Sequence, residues 1–401
     1  MRPLVLALGF VLAAASAAAA QRLPRGRLGF RDAGIGAIRG VTVGPIENSQ
    51  WPGRGYGTEY SAALLDELAR MGVTWVSVTP FGRIWSLESS EIYMDFEAPY
   101  GENRIAIARF VEQAHARGIR VLLVPHLWVW SETGWRGEID PGTEQGWRDY
   151  QASYRAFVLA WARDAAAMEV DALSIGVECK SWSGRFGAFW ASFIDDVRGA
   201  YPGLLTYSAN WDEAEAVLFW DRLDLIGINA FYPLAHHEGA TYDEYLAGAR
   251  EARDAVLDIS ETLDMPVVFV EVGYTTRRDA AVEPWLWPDG MTDVAYSEEE
   301  QSRALEASLS TFVPEEWFAG FFVWRYYASL DDVSQEAIWG FSPHGKQTER
   351  MLTHAFGSPF GADPDPLALT TLLDGPSRWD ELIARSRVAA LLADTTIDPP
   401  R

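Results

Sequence analysis

The sequence predicts an α/β protein of the (β/α)8 TIM-barrel class with a short C-terminal extension. Eight short apolar runs alternate with amphipathic helical patterns between Val41 and Phe356, and the connections between them are short. No G-x-G-x-x-G motif follows the first predicted strand, which disfavours an open, doubly wound sheet. A closed barrel is therefore the better explanation of the repeated pattern.

Each predicted strand is a short, mainly apolar run. In chain order the strands are Val41–Gly44, Val73–Pro80, Ile119–His126, Asp171–Glu178, Leu204–Asn210, Leu223–Asn229, one within Met265–Tyr274, and Phe318–Arg325. The fourth and the seventh are unusual because each contains a glutamate near its end, Glu178 and Glu271. Buried strands do not normally contain a carboxylate, so these two residues call for a functional explanation.

Helices between the strands are predicted from apolar spacing and from signals at their ends. Thr58 is a candidate N-cap for a helix that stops at Gly72, and Ser297 with Glu300 forms a capping-box pattern. The other predicted helices are Asn103–Arg117, Thr143–Met168, Gly187–Ala200, Tyr242–Leu263 and Gln347–Phe356, while the helix after Ser297 runs to Phe312.

Four segments are predicted along the chain. Residues 1–20 contain Arg2, an apolar run and the small residues Ala17–Ala20, a pattern typical of a cleavable signal peptide. Residues 21–37 form a leader, residues 38–357 the catalytic barrel, and residues 358–401 a Pro-rich linker with a helical extension at Ser377–Asp394. We therefore expect a secreted or periplasmic protein. Its single cysteine, Cys179, cannot form an internal disulfide.

Composition excludes some partners. The chain has 57 acidic and 33 basic residues and a formal net charge of −24, which repels nucleic acid and anionic membrane surfaces at long range. With 48% apolar and 22% charged residues, the composition is that of a globular protein. Neither partner proteins nor oligomeric state can be predicted from these features.

Polar and aromatic residues gather where the predicted strands end, the face on which a barrel of this class has its active site. Sugars combine apolar C–H faces with hydroxyl rims, and aromatic rings with hydrogen-bonding side chains suit both. The sequence therefore predicts a carbohydrate-binding cleft. Its candidate catalytic residues are Glu178 and Glu271, and its candidate substrate contacts are His126, Asn210, Trp211, Asn229, Tyr232 and Trp324.

The two glutamates suggest a retaining glycosidase. If strands four and seven face each other across the barrel mouth, the carboxyl groups would lie roughly 5 Å apart, as that mechanism requires. Glu271 would attack the anomeric carbon, while Glu178 would protonate the leaving oxygen and later activate water. A negative Glu271 would keep Glu178 protonated until the first step is over, and Tyr232 or Arg325 would hold Glu271 ionised.

Other residues have simpler interpretations. The pair His236 and His237 has no third metal ligand at a recognisable spacing, so solvated loop residues are expected, and the mechanism requires no metal or cofactor. Cys179 has no evident histidine partner and is expected to be a small buried residue. Arg83 either orients a carboxylate or lies at the surface.

The strand-end motifs resemble those of clan A glycoside hydrolases, and most closely glycoside hydrolase family 113. The motifs are Ser174–Cys179 (SIGVEC), Val268–Tyr274 (VFVEVGY), Val124–Trp128 (VPHLW), Ile228–Tyr232 (INAFY) and Phe322–Arg325 (FVWR). The resemblance extends from about Ile38 to Phe356. It implies a retaining endo-β-1,4-mannanase with Glu178 as acid/base and Glu271 as nucleophile, and it makes β-mannan the leading substrate.

One position departs from the clan pattern. Much of the clan has asparagine immediately before the acid/base residue, in contact with the sugar 2-hydroxyl, whereas this chain has Val177. Either another group, such as Asn210 or His126, makes that contact, or the substrate differs. Xylan and β-glucan therefore remain alternative substrates, endo against exo action stays open, and a non-catalytic carbohydrate-binding barrel is the alternative of a different class.

Overall fold

A computed structural model describes residues 38–357, except 49, 132–133, 288–293, 331–335 and 337–338. The predicted signal peptide, the leader, the Pro-rich linker and the helix at Ser377–Asp394 lie outside the described residues. In the part of the chain that is described, no helix is both long enough and apolar enough to cross a membrane.

Eight parallel strands close into a barrel, which confirms the predicted (β/α)8 fold. They are β1 (Ile38–Gly44), β2 (Trp75–Val78), β4 (Arg120–Leu123), β6 (Ala172–Val177), β7 (Leu204–Asn210), β8 (Ile226–Asn229), β9 (Val267–Val272) and β10 (Phe318–Tyr327). Strand β1 closes the barrel, because it pairs in parallel with both β2 and β10. All eight carboxyl ends consequently meet at one face.

Two further strands, which the sequence did not predict, form a separate parallel pair. These are β3 (Phe81–Ile84) and β5 (His126–Val129), called the ribbon below. Pro80 and Pro125 interrupt β2 and β4, because proline has no N–H for the ladder. The register nevertheless continues across the break, since the His126 amide donates to the Pro80 carbonyl at 2.8 Å. The ribbon therefore extends the barrel wall beyond its carboxyl face.

The helices largely begin and end at the predicted signals. They are α1 (Glu59–Met71), α2 (Tyr100–His115), α3 (Glu144–Ala167), α4 (Lys180–Ser183), α5 (Gly187–Ala200), α6 (Tyr242–Leu263), α7 (Glu298–Phe312) and α8 (Gln347–Gly357), with 3-10 helices at Arg136–Glu138, Ala214–Ala216 and Trp220–Arg222. The predicted capping box at α7 forms on one side only. Ser297 accepts from the Glu300 amide, but the Glu300 carboxylate accepts from the Tyr245 hydroxyl.

Candidate active site

Two buried carboxyl groups lie at the carboxyl ends of β6 and β9. Glu178 directly follows β6 and is 6% exposed, while Glu271 in β9 is 4% exposed. Asn229 ends β8 and stands beside Glu271 in the strand register. Its Nδ2 donates to Glu178 Oε1 at 3.0 Å, and its side chain also lies within hydrogen-bonding reach of Glu271. One buried amide thus lies beside both glutamates predicted to be catalytic.

Two donors that the sequence analysis missed fix the other oxygen of Glu178. Arg136 Nη1 and Trp135 Nε1 both donate to Oε2, at 2.7 and 2.9 Å. Arg136 is itself held by Leu127, whose carbonyl accepts from Nε at 2.9 Å. These residues stand at a 3-10 helix between β5 and α3, where no periodic pattern points to a function. With the amide of Asn229, three donors stabilise the Glu178 carboxylate.

Glu271 lies in a less polar environment. Burial and, second, the charge of Glu178 raise the pKa of Glu271 to about 8, although Arg136 and Arg325 act in the opposite direction. Burial therefore opposes the ionised state of Glu271 that the sequence analysis expects. Arg325 does contribute, but Tyr232 does not: Tyr232 packs against Trp211 and Phe269.

His126, at the start of the ribbon, lies beside Glu271. Its Nε2 lies 3.3 Å from Glu271 Oε1, although the geometry is not that of a hydrogen bond. Burial and the nearby Arg136 and Arg325 lower the pKa of His126 well below its usual value. The imidazole is therefore neutral, and it stacks on Trp324 with ring centroids 6.1 Å apart.

The remaining predicted contacts are arranged in two groups. Asn229, His126 and Trp324 surround the pair, whereas Asn210 turns away and donates to Asp212 at 2.6 Å. Trp211 stacks on Trp285 with ring centroids 5.5 Å apart and packs edge-to-face with Tyr232. These three rings form an aromatic wall beside the cleft. Among the described residues, several buried polar atoms of the cleft have no hydrogen-bond partner: His126 Nδ1, Asn229 Oδ1, Glu271 Oε1 and Arg325 Nε. Sugar hydroxyls could satisfy them.

Comparison with known proteins identifies the family. The family model for Glycoside Hydrolase Family 113 matches residues 50–346. The chain belongs to glycoside hydrolase family 113. It is therefore a glycoside hydrolase, and the pair lies on the face where such a barrel has its active site.

Solved structures agree with this assignment. A GH113 β-mannanase from Alicyclobacillus acidocaldarius, in complex with ManMIm, is 26% identical with a TM-score of 0.69, over 80% of this chain and 97% of that chain. A GH113 β-1,4-mannanase complex is 22% identical with a TM-score of 0.67, over 80% and 99% of the two chains. A Faecalibacterium prausnitzii β-glucuronidase shares the fold alone, at 16% identity and a TM-score of 0.53, over 81% of this chain and 49% of that chain. No curated protein matches the sequence.

In this family 113 hydrolase, a buried hydrogen-bond chain holds the backbone beneath Glu178, which has a left-handed φ of 49°. The Cys179 amide donates to the Tyr207 hydroxyl at 2.6 Å, and that hydroxyl donates to Glu213 Oε1 at 2.5 Å. Burial raises the pKa of Glu213 to about 7. The peptide that follows Glu178 is thus anchored to β7 and to the loop after it.

Replacing Tyr207 by phenylalanine should lower kcat about tenfold, because the Cys179 amide loses its acceptor and Glu178 loses its fixed orientation. The matched control is Tyr201→Phe, which removes another buried hydroxyl, bonded to the Val170 carbonyl at 2.7 Å. Both variants should lose about 1–2 kcal/mol of unfolding free energy. Equal kcat values in the two variants, measured beside thermal unfolding, would show that Tyr207 is only structural.

In the described part of the chain, the contacts of Cys179, His237 and His344 do not include Glu178 or Glu271. Burial raises the pKa of the Cys179 thiol to about 12, so it is not a nucleophile at neutral pH. His237 is exposed and lies 3.0 Å from Glu244. Within the described ranges, the group of side chains that could hold a metal is Glu67, His344 and Glu349. His344 Nδ1 and Glu349 already bond at 2.8 Å, and the group includes neither glutamate of the pair.

Proposed function

We propose that this glycoside hydrolase is a secreted, retaining endo-β-1,4-mannanase. The observation that carries the proposal is the buried pair Glu178 and Glu271, with Asn229 bonded to Glu178 and beside Glu271 in the strand register. The sequence similarity to a β-mannanase with which it shares 26% identity supports β-mannan as the substrate. The signal-peptide pattern supports export, which N-terminal sequencing of the protein recovered outside the cytoplasm would test.

The two carboxyl groups would divide the reaction as follows. Glu271 attacks the anomeric carbon while Glu178 gives a proton to the leaving oxygen, so the covalent intermediate forms as the glycosidic bond breaks. In the second step Glu178 takes a proton from water, which displaces Glu271. Arg136 and Trp135 stabilise the carboxylate form of Glu178 that this step needs. Val177 is buried in the barrel interior, so contact with the 2-hydroxyl falls to Asn229 and His126.

The proposal is tested by product release from mannan, glucomannan, xylan and β-glucan, with the anomer of the first product followed by NMR. Mannan cleavage into oligosaccharides of several lengths, with a β-configured first product, is the expected result. An α-configured product would exclude the retaining mechanism. Preference for xylan or β-glucan would exclude β-mannan, and no turnover of any polymer would leave a binding barrel.

The shared proton predicts an alkaline limit to activity. The pair must hold one proton for the first step, and the pKa of Glu271, at about 8, marks the loss of that proton in the free enzyme. We expect kcat/KM for the preferred polymer to fall above pH 8, about tenfold per unit. A kcat/KM that stays constant to pH 10, in a protein that remains folded by circular dichroism, would contradict this prediction.

A further inference from the structure

The ribbon has two different faces. Successive side chains of a strand point to opposite faces of the sheet, so Ile84, Leu127 and Val129 lie on the same face. All three are buried against the barrel core. The opposite face has Phe81 beside His126 and Arg83 beside Trp128 in the strand register. The Trp130 amide donates to the Ile84 carbonyl at 2.8 Å, which continues the pairing past β5. This second face, called the aromatic face below, is lined by rings.

Exposure rises along the aromatic face with distance from the carboxylate pair. His126 at its inner end is 1% exposed and Phe81 is 7% exposed. At the outer end Trp128, Trp85 and Trp130 are 44%, 46% and 54% exposed. A face that leaves the protein interior normally becomes polar, and three neighbouring half-exposed tryptophans are a feature of binding surfaces.

The rings form two groups in contact, one at the inner end of the aromatic face and one at its outer end. Phe81 lies 5.0 Å from His126 and 6.2 Å from Trp128, measured between ring centroids. Trp85 and Trp130 meet at 5.9 Å. The guanidinium of Arg83 covers both, at 4.4 and 5.3 Å from their rings, and is fixed by two hydrogen bonds to Asp95. The outer tryptophans are thereby held in a defined orientation.

We propose that the outer aromatic face, formed by Trp128, Trp85 and Trp130, binds the part of a β-1,4-linked polysaccharide that extends beyond the sugars at the carboxylate pair. The proposal rests on the proposed function. Continuity with the pair favours this occupant, because His126 on the same face lies 3.3 Å from Glu271. From His126 to Trp130 the strand spans about 13 Å, the length of roughly two or three linked sugar rings. Rings in series match the repeated C–H faces of such a chain.

The test compares a long with a short substrate. Trp85→Ala/Trp130→Ala should raise KM for the polymer that the wild type cleaves about tenfold. On an aryl β-bioside of the same sugar, its kcat/KM should stay within about twofold of the wild type. Ile105→Ala removes an equally exposed apolar side chain, 53% exposed on α2, and should change neither value. Trp85→Phe/Trp130→Phe should recover most of the polymer affinity if stacking is the cause.

Other outcomes would overturn the inference. Equal losses on the long and short substrates would show that the tryptophans only support the fold. Unchanged kinetics, with a dimer that becomes a monomer in light scattering, would assign the aromatic face to a second copy of the chain. The two proposals fail separately: if xylan or β-glucan is the preferred polymer, the mannan assignment fails while the chain-length comparison is made on that polymer.

Discussion

Glutamine in place of Glu271 is expected to reduce kcat on the preferred polysaccharide at least about 10⁴-fold, and glutamine in place of Glu178 about 10²–10⁴-fold. The first change removes the nucleophile, so no covalent intermediate forms. The second removes the proton donor, which matters less when the leaving group needs little protonation. On a dinitrophenyl β-glycoside, the Glu178 variant should therefore recover much of its first-step rate, whereas the Glu271 variant should not.

Azide separates the two roles further. In Glu178→Ala the intermediate still forms and azide attacks it, so the product should be a β-glycosyl azide. In Glu271→Ala azide enters the cavity left by the nucleophile and should give the α-glycosyl azide. Glu306→Gln is the control, because Glu306 on α7 also has a pKa raised by burial, to about 7, but lies outside the pair. Interchanged azide products would reverse the assignment of the two glutamates.

The barrel could be predicted because its strands are covered on both faces and appear as apolar runs. Local end signals also fixed several helices: α5 and α6 have the predicted bounds, and the left-handed Gly72 ends α1. The ribbon could not be predicted in this way. Pro80 and Pro125 are signals for the end of a strand. Only the folded structure shows that the two segments after them continue to pair, as β3 and β5.

Within the site, the sequence revealed the carboxylates but not their neighbours. Glu178 and Glu271 stood out because a carboxylate at the end of a buried strand is rare. Arg136 contacts Glu178 although the two residues are 42 positions apart in the sequence, so no pattern of local spacing could predict the contact. The raised pKa of Glu271 could not be predicted from the sequence either. Protonation depends on the burial of Glu271 and on the placement of two arginines, which only the folded chain defines.

Glu271→Gln is expected to stabilise the protein at neutral and alkaline pH, by roughly 3–5 kcal/mol at pH 9, which corresponds to about 5 °C in Tm. The pKa of Glu271 is about 8 in the folded chain against a reference value of 4.5. Between these values the folded state binds more protons than the unfolded state, so stability falls as pH rises. Below pH 4.5 both states are protonated and the benefit of glutamine disappears.

The measurement is Tm of the wild type and the variant from pH 4 to pH 9. Glu244→Gln is a control of opposite sign, because hydrogen bonds to Thr241 at the start of α6 lower the pKa of Glu244 to about 2. That carboxylate stabilises the folded state at neutral pH, and its stabilising effect is lost as pH falls towards 2. Its glutamine variant should therefore have a lower Tm than the wild type at pH 7.

The pH dependence of the stability change in Glu271→Gln shows its physical cause as well as its sign. Burial is the largest contribution to the raised pKa of Glu271, and the charge of Glu178 is the second. In a Glu178→Gln background the like charge is absent, so the gain from Glu271→Gln at pH 9 should shrink but not vanish. A gain independent of pH would reflect packing of the amide alone. A loss that grows with pH would mean that Arg325 and Arg136 outweigh burial and hold Glu271 ionised before substrate binds.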